Sequence, residues 1–133
     1  MSNLAIIAID DERMILDSLR NQLEKNYRDT FILEFAESAE EALEVMDDLS
    51  HMDIGTLLVI TDFLMPGMKG DELIDRLTKE FPAVNIVMLT GHVTPEISKR
   101  MESKKLVLKI IQKPWKESDL FEVIDELTGI GGE

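Results

Sequence analysis

The sequence predicts an α/β fold of (βα)5 form, an open parallel sheet with helices on both faces. Three observations carry this expectation. Five short apolar runs alternate with five amphipathic segments along the chain. Most of the runs are solidly apolar rather than alternating, as suits parallel strands covered on both sides. Helix-start signals also fall between runs and segments, at Ser38 with Glu41 and at Thr94 before Pro95.

The elements follow in order. The first run is Leu4–Ile9, and Ile15, Leu16, Leu19 and Leu23 then form a helical stripe. The second run, 31–35, is interrupted by Glu34 and suits a sheet edge. Ser38 and Glu41 read as a capping box for a helix whose apolar face is Ala42, Leu43, Met46 and Leu49. The third run, 56–60, precedes the stripe Leu73, Ile74 and Leu77. The fourth, 86–89, precedes a helix opened by Thr94 as N-cap and Pro95 at the first helical position, with Ile97 and Met101 inward. The fifth, 106–111, precedes Leu120, Val123, Ile124 and Leu127, and Gly129 suits a C-terminal stop. The natural arrangement is flavodoxin-like, a doubly wound sheet of five parallel strands in the order 2-1-3-4-5, with any site at the carboxyl ends of the strands. Residues 1–128 are expected to form one domain. Residues 129–133 read as a tail, or as the start of a linker to an output domain.

Composition narrows the function. The 133 residues suit one domain, and 44% hydrophobic residues supply a core. With 14 basic and 27 acidic residues, the formal charge is −13. Such a chain does not bind nucleic acid or an anionic membrane through its net field, and it attracts cations. The absence of cysteine excludes disulfides and thiolate chemistry and fits a reducing compartment. No early apolar stretch is long enough for a signal peptide or a membrane span, so a cytoplasmic location is expected.

Polar residues gather where four strands end. The first run ends in Asp10, Asp11 and Glu12, the third in Asp62, the fourth in Thr90 and Gly91, and the fifth near Lys113 and Pro114. A doubly wound sheet brings these ends to one crevice. Like charges about 4 Å apart repel by roughly 4 kcal/mol at an effective dielectric of 20, so clustered aspartates call for a cation. Carboxylate, carbonyl and water oxygens suit Mg²⁺. A carboxylate beside such a metal can act as a nucleophile and form an aspartyl phosphate. An ammonium and a hydroxyl can bind the remaining phosphoryl oxygens.

Each residue also has an ordinary reading. Asp11 or Glu12 can cap the following helix, Thr90 can be a loop hydroxyl, Lys113 a solvated charge, and Asp62 a turn residue. Their coincidence at four strand ends favours a site. His51 reads as a surface-loop residue, the eight methionines mostly as core filler, and Trp115 as packing at the start of the last helix.

These motifs resemble the receiver domain of two-component response regulators over nearly the whole chain. The matching residues are Asp10-Asp11-Glu12, Asp62-Phe63-Leu64-Met65-Pro66-Gly67-Met68-Lys69-Gly70, Thr90-Gly91 and Lys113-Pro114-Trp115. The resemblance implies that Asp62 accepts a phosphoryl group from a histidine kinase or phosphotransfer protein. It implies that Asp11 and Asp62 coordinate Mg²⁺ directly, that Asp10 helps through water, and that Leu64 adds its backbone carbonyl. Thr90 and Lys113 would contact the phosphoryl group. His92 and Leu64 would stand beside the pocket and tune hydrolysis of the acyl phosphate. Such a domain is not an enzyme in the ordinary sense; it promotes its own phosphorylation and dephosphorylation. The response would appear on the fourth helix, fifth strand and fifth helix.

On that surface Lys99, Arg100, Lys104, Lys105 and Lys109 face an acidic last helix bearing Asp119, Glu122, Asp125 and Glu126. Opposite charges there suit a homodimer across a two-fold axis. Two features depart from the family pattern. Ile110 stands where members usually carry a Tyr or Phe switch, and Met101-Glu102-Ser103-Lys104-Lys105 replaces the familiar Gly-Ala pair.

Rival functions fit less well. A flavin module wants a phosphate-friendly loop after the first strand, where this chain places Asp10-Asp11-Glu12. A Mg²⁺-dependent phosphohydrolase usually carries its aspartyl nucleophile on the first strand, with a second Asp two residues later, where Glu12 stands here. An adaptor that is never phosphorylated would be free to lose Asp62 or Lys113.

Overall fold

The five apolar runs pair into one parallel sheet in the order β2-β1-β3-β4-β5. A computed structural model describes residues 4–64, 67–91 and 93–128. Its elements are β1 (Leu4–Ile9), α1 (Arg13–Tyr27), β2 (Ile32–Ala36), α2 (Ala39–His51), β3 (Gly55–Thr61), α3 (Gly70–Glu80), β4 (Asn85–Thr90), α4 (Pro95–Glu102), β5 (Val107–Gln112) and α5 (Glu117–Thr128). Expected and observed elements correspond, with boundaries moved by a residue or so. The Gly129 stop, the tail 129–133 and His92 lie outside the described residues.

Alternate side chains of the inner strands point to opposite faces, and both faces are buried. Ala5, Ile7, Ile9, Val59, Ile86 and Met88 meet α2, α3 and α4 through residues such as Met46, Leu73, Leu77 and Met101. Ile6, Ala8, Leu58, Ile60, Val87 and Leu89 meet α1 and α5 through Leu19, Leu23, Leu120 and Ile124. This two-sided burial is why the runs read as continuous rather than alternating. The edge strand β5 differs, leaving Leu108 and Lys109 exposed.

Helix starts follow the sequence signals. Ser38 accepts from the Glu41 N–H at 3.0 Å, but the Glu41 carboxylate accepts from the Glu37 N–H rather than from Ser38. Thr94 accepts from the Ile97 N–H at 3.1 Å, with Pro95 opening the helix. One ordinary reading changes. His51 closes α2, its ring nitrogen 2.8 Å from the Asp47 carbonyl, instead of lying in a loop. The methionines are mostly core residues as expected: among the described ones Met46, Met68, Met88 and Met101 are buried, and Met14 and Met52 are largely exposed. Among the described residues no helix is long and apolar enough to cross a membrane.

Candidate functional site

Strand ends deliver the polar residues. Asp10 directly follows β1, and its N–H donates to the Ala36 carbonyl at 3.1 Å, extending the ladder with β2 by one residue. Asp62 directly follows β3, and Thr90 is the last residue of β4. Lys113 follows β5, and its N–H donates to the Thr90 carbonyl at 2.9 Å. The Lys113–Pro114 peptide is cis. Each side chain is thus aimed by a backbone that the sheet already holds.

Lys113 joins the aspartates. Its Nζ donates to Asp10 Oδ2 and to Asp62 Oδ2, both at 2.8 Å. The other oxygens are engaged as well: Asp10 Oδ1 accepts from the Glu12 N–H at 2.9 Å, and Asp62 Oδ1 from the Leu64 N–H at 3.2 Å. Asp10, Asp62 and Thr90 are all buried. Burial pushes the Asp10 carboxyl above its ordinary value, against the lowering effect of Lys113 and the Glu12 N–H. Burial alone would lower the Lys113 ammonium, but its hydrogen bonds to Asp10 and Asp62 outweigh that and hold it above the ordinary lysine value.

The remaining acidic residues take different places. Glu12 occupies the N-cap position of α1 without a side-chain cap bond. Its carboxylate instead stands 3.6 Å from Lys113. Asp11 is exposed at the rim. Among the described residues no three acidic or imidazole side chains are gathered at metal-ligating spacing. The structure therefore brings together Asp10, Asp62 and Lys113, with Thr90 on the adjoining strand end, and leaves Asp11 facing solvent. The approach of Glu12 to Lys113 is an addition; the sequence offers Asp11 or Glu12 as candidate helix caps. Trp115 packs against the face shared by α1 and α5, and its indole N–H donates to Gln22 of α1 at 2.8 Å.

A sheet of order 2-1-3-4-5 with acidic residues after β1 and β3 and a lysine after β5 has counterparts among known proteins. Residues 6–125 match the response regulator receiver domain. The chain belongs to that family. This receiver domain is 32% identical over 124 residues to the transcriptional regulatory protein YesN of Bacillus subtilis, covering 92% of this chain and 32% of YesN. It is 28% identical over 126 residues to the transcriptional regulatory protein FixJ of Rhizobium meliloti, covering 94% of this chain and 57% of FixJ. The chain thus spans about a third of the first relative's length and little more than half of the second's. Among solved structures it is similar to a CheY-like response regulator receiver domain protein from Methanospirillum hungatei. That pair has a TM-score of 0.79 and 29% identity, over 95% of this chain and 94% of the other.

The charged surface expected around the fourth and fifth helices is smaller than the sequence implied. Arg100 pairs with Asp71 at 3.1 Å and Lys104 with Asp75 at 3.2 Å, so both turn toward α3. Asp125 accepts from the Tyr27 hydroxyl at 2.8 Å and so turns toward α1. Lys99, Lys105 and Lys109 remain exposed, as do Asp119, Glu122 and Glu126.

Proposed function

We propose that this receiver domain takes a phosphoryl group from a histidine kinase or phosphotransfer protein onto Asp62. The observation that carries the reading is the shared contact of Lys113 with Asp10 and Asp62 at the mouths of β1, β3 and β5. A carboxylate oxygen of Asp62 attacks phosphorus. The bond from phosphorus to the donor, such as the imidazole nitrogen of a phosphohistidine, breaks, and its electron pair leaves with the donor. An acyl phosphate remains on Asp62.

The donor chemistry fits Mg²⁺: two buried carboxylates meet at adjacent strand ends, all their donors are hard oxygens, and one lysine balances them. Asp10, Asp11, Asp62 and the Leu64 carbonyl would hold the ion. Bound there, Mg²⁺ supplies charge neutralisation for the incoming phosphoryl group. Lys113 exchanges its hold on a carboxylate for a phosphoryl oxygen, and the Thr90 hydroxyl binds another. The same residues support hydrolysis of the acyl phosphate. Phosphorylation is read out on α4, β5 and α5, a surface that suits a second copy of the chain. The acidic net charge argues against direct binding of nucleic acid or of an anionic membrane.

Intact-mass measurement after incubation with acetyl phosphate and Mg²⁺ tests the reading. One added phosphate is expected, lost on chelation and absent from Asp62→Ala. Full labelling of that variant removes Asp62 from the role.

A further inference from the structure

Phe63, next to the proposed acceptor, is held from two sides. Its carbonyl accepts from the Gly70 N–H at 2.9 Å, where α3 begins. A Cβ at Gly70 would stand 2.9 Å from that carbonyl oxygen and 3.0 Å from both Cα and Cδ1 of Phe63, so the two backbones are in contact with no room between them. On the other side the Arg100 guanidinium of α4 lies 5.3 Å from the centre of the Phe63 ring. The same guanidinium pairs with Asp71 Oδ2 at 3.1 Å, one residue into α3. The second Asp71 oxygen is shut from solvent and has no hydrogen-bond partner among the described residues, which makes that carboxylate depend on Arg100. One turn further along α3, Asp75 pairs with Lys104, just beyond the end of α4, at 3.2 Å.

We propose that Arg100 is a positioning residue for phosphoryl transfer to Asp62, acting through Phe63 and Asp71. The Asp62 carboxylate is oriented by the Leu64 N–H at 3.2 Å, so its direction depends on the 62–64 backbone. Phe63 is the middle residue of that segment, and Arg100 closes it against the start of α3. A small misplacement of a reacting group is enough to slow a reaction. Ile110, aliphatic and half-buried against the cluster that holds Met101, offers no ring to couple α4 to the site, whereas Arg100 connects α4 to the residue beside the proposed acceptor.

This inference rests on the acceptor role of Asp62, and the test separates the two. Acetyl phosphate labelling of the full chain in Mg²⁺ is followed by intact mass for wild type, Arg100→Gln, Asp71→Asn, Phe63→Leu and the pairwise doubles. Urea unfolding of each variant is measured alongside. Arg100→Gln should slow labelling by about two- to fivefold, the scale of one cation–π contact. Its unfolding midpoint should fall only modestly, because the pair is partly open to solvent and the cost is that of leaving the half-enclosed Asp71 carboxylate without its cation. Asp71→Asn should slow labelling in the same direction. Arg100→Gln should slow labelling less once Phe63 is Leu, because only the Asp71 pairing is then left to lose. If Phe63→Leu does not fold, the cycle of Arg100→Gln with Asp71→Asn decides, and the double should be no slower than Arg100→Gln alone. An unchanged rate in Arg100→Gln, or equal slowing on both backgrounds, overturns the positioning role and leaves Asp62 as acceptor. A wild type that takes no phosphate, or an Asp62→Ala that still takes it, overturns both.

Discussion

Lys113 stands 2.8 Å from Asp62, so the carboxylate proposed as acceptor carries a cation of its own before any metal or phosphoryl group arrives. The same ammonium serves Asp10 at 2.8 Å and approaches Glu12 at 3.6 Å. One positive charge shared by two buried carboxylates, with the exposed Glu12 at the rim, leaves an excess of negative charge at the crevice. Added Mg²⁺ should therefore stabilise the fold, by about 2.7 kcal/mol at one hundred times its dissociation constant. Thermal unfolding with and without Mg²⁺ measures this. Asp62→Asn should lose most of the gain, and an unchanged gain would place the cation elsewhere.

Gly70→Ala should destabilise the domain. A Gly to Ala change in an open helix position is worth up to about 1 kcal/mol in the favourable direction. Here the new methyl meets the Phe63 backbone at 2.9–3.0 Å, and backbone does not yield as a flexible side chain does. Overpacking of this kind costs about 1–3 kcal/mol, so the contact outweighs the propensity gain. Urea titration should show a lower midpoint for Gly70→Ala than for wild type.

Alkaline stability should depend on Tyr27. Its hydroxyl, on α1, donates to Asp125 of α5 at 2.8 Å. Burial raises the phenol above its ordinary value of 10.0, and the Asp125 hydrogen bond and charge push the same way. The folded state thus holds the proton more tightly than the unfolded chain. This contribution is fully present below pH 10 and is lost as pH rises beyond it. Tyr27→Phe should lose stability at neutral pH and show a flatter fall above pH 10. Parallel pH titrations of unfolding free energy would reveal equal slopes if Tyr27 had no part.

Self-association through α4, β5 and α5 should be guided by fewer charges than the sequence suggests. Lys105 and Lys109 are exposed, while Arg100 and Lys104 are paired to α3. Exposed pairs contribute about 0–1 kcal/mol each, so they set register more than affinity. Sedimentation of the phosphorylated chain should show a dimer that Lys105→Glu with Lys109→Glu weakens. A phosphorylated wild type that stays monomeric would remove the dimer, and a dimer indifferent to the reversal would remove the charge guidance.

Much of this molecule is written locally. Strand burial needs only a run of apolar residues, helix faces need only the 3.6-residue period, and Ser38 and Thr94 act within their own turn. Asp10, Asp62, Thr90 and Lys113 were legible as a group because a doubly wound sheet carries every strand's carboxyl end to one side. The partners of charged side chains are not local. Arg100 and Lys104 read as an open basic patch, yet they meet Asp71 and Asp75, 29 residues earlier in each case. Asp71 and Asp75 share one face of α3 by their spacing of four, but only the packing of α3 beside α4 and the turn after it brings the two cations within reach. Asp125 read as surface charge until α5 settled against α1 and Tyr27. Glu12, one of two candidate caps by sequence, does take the N-cap position of α1, but its carboxylate turns to Lys113, which β5 delivers beside it. Periodicity and strand-end chemistry determined the fold and the candidate acceptor; the distance between separate elements, set by core packing, decided which charges were spent inside the chain and which remain for a partner.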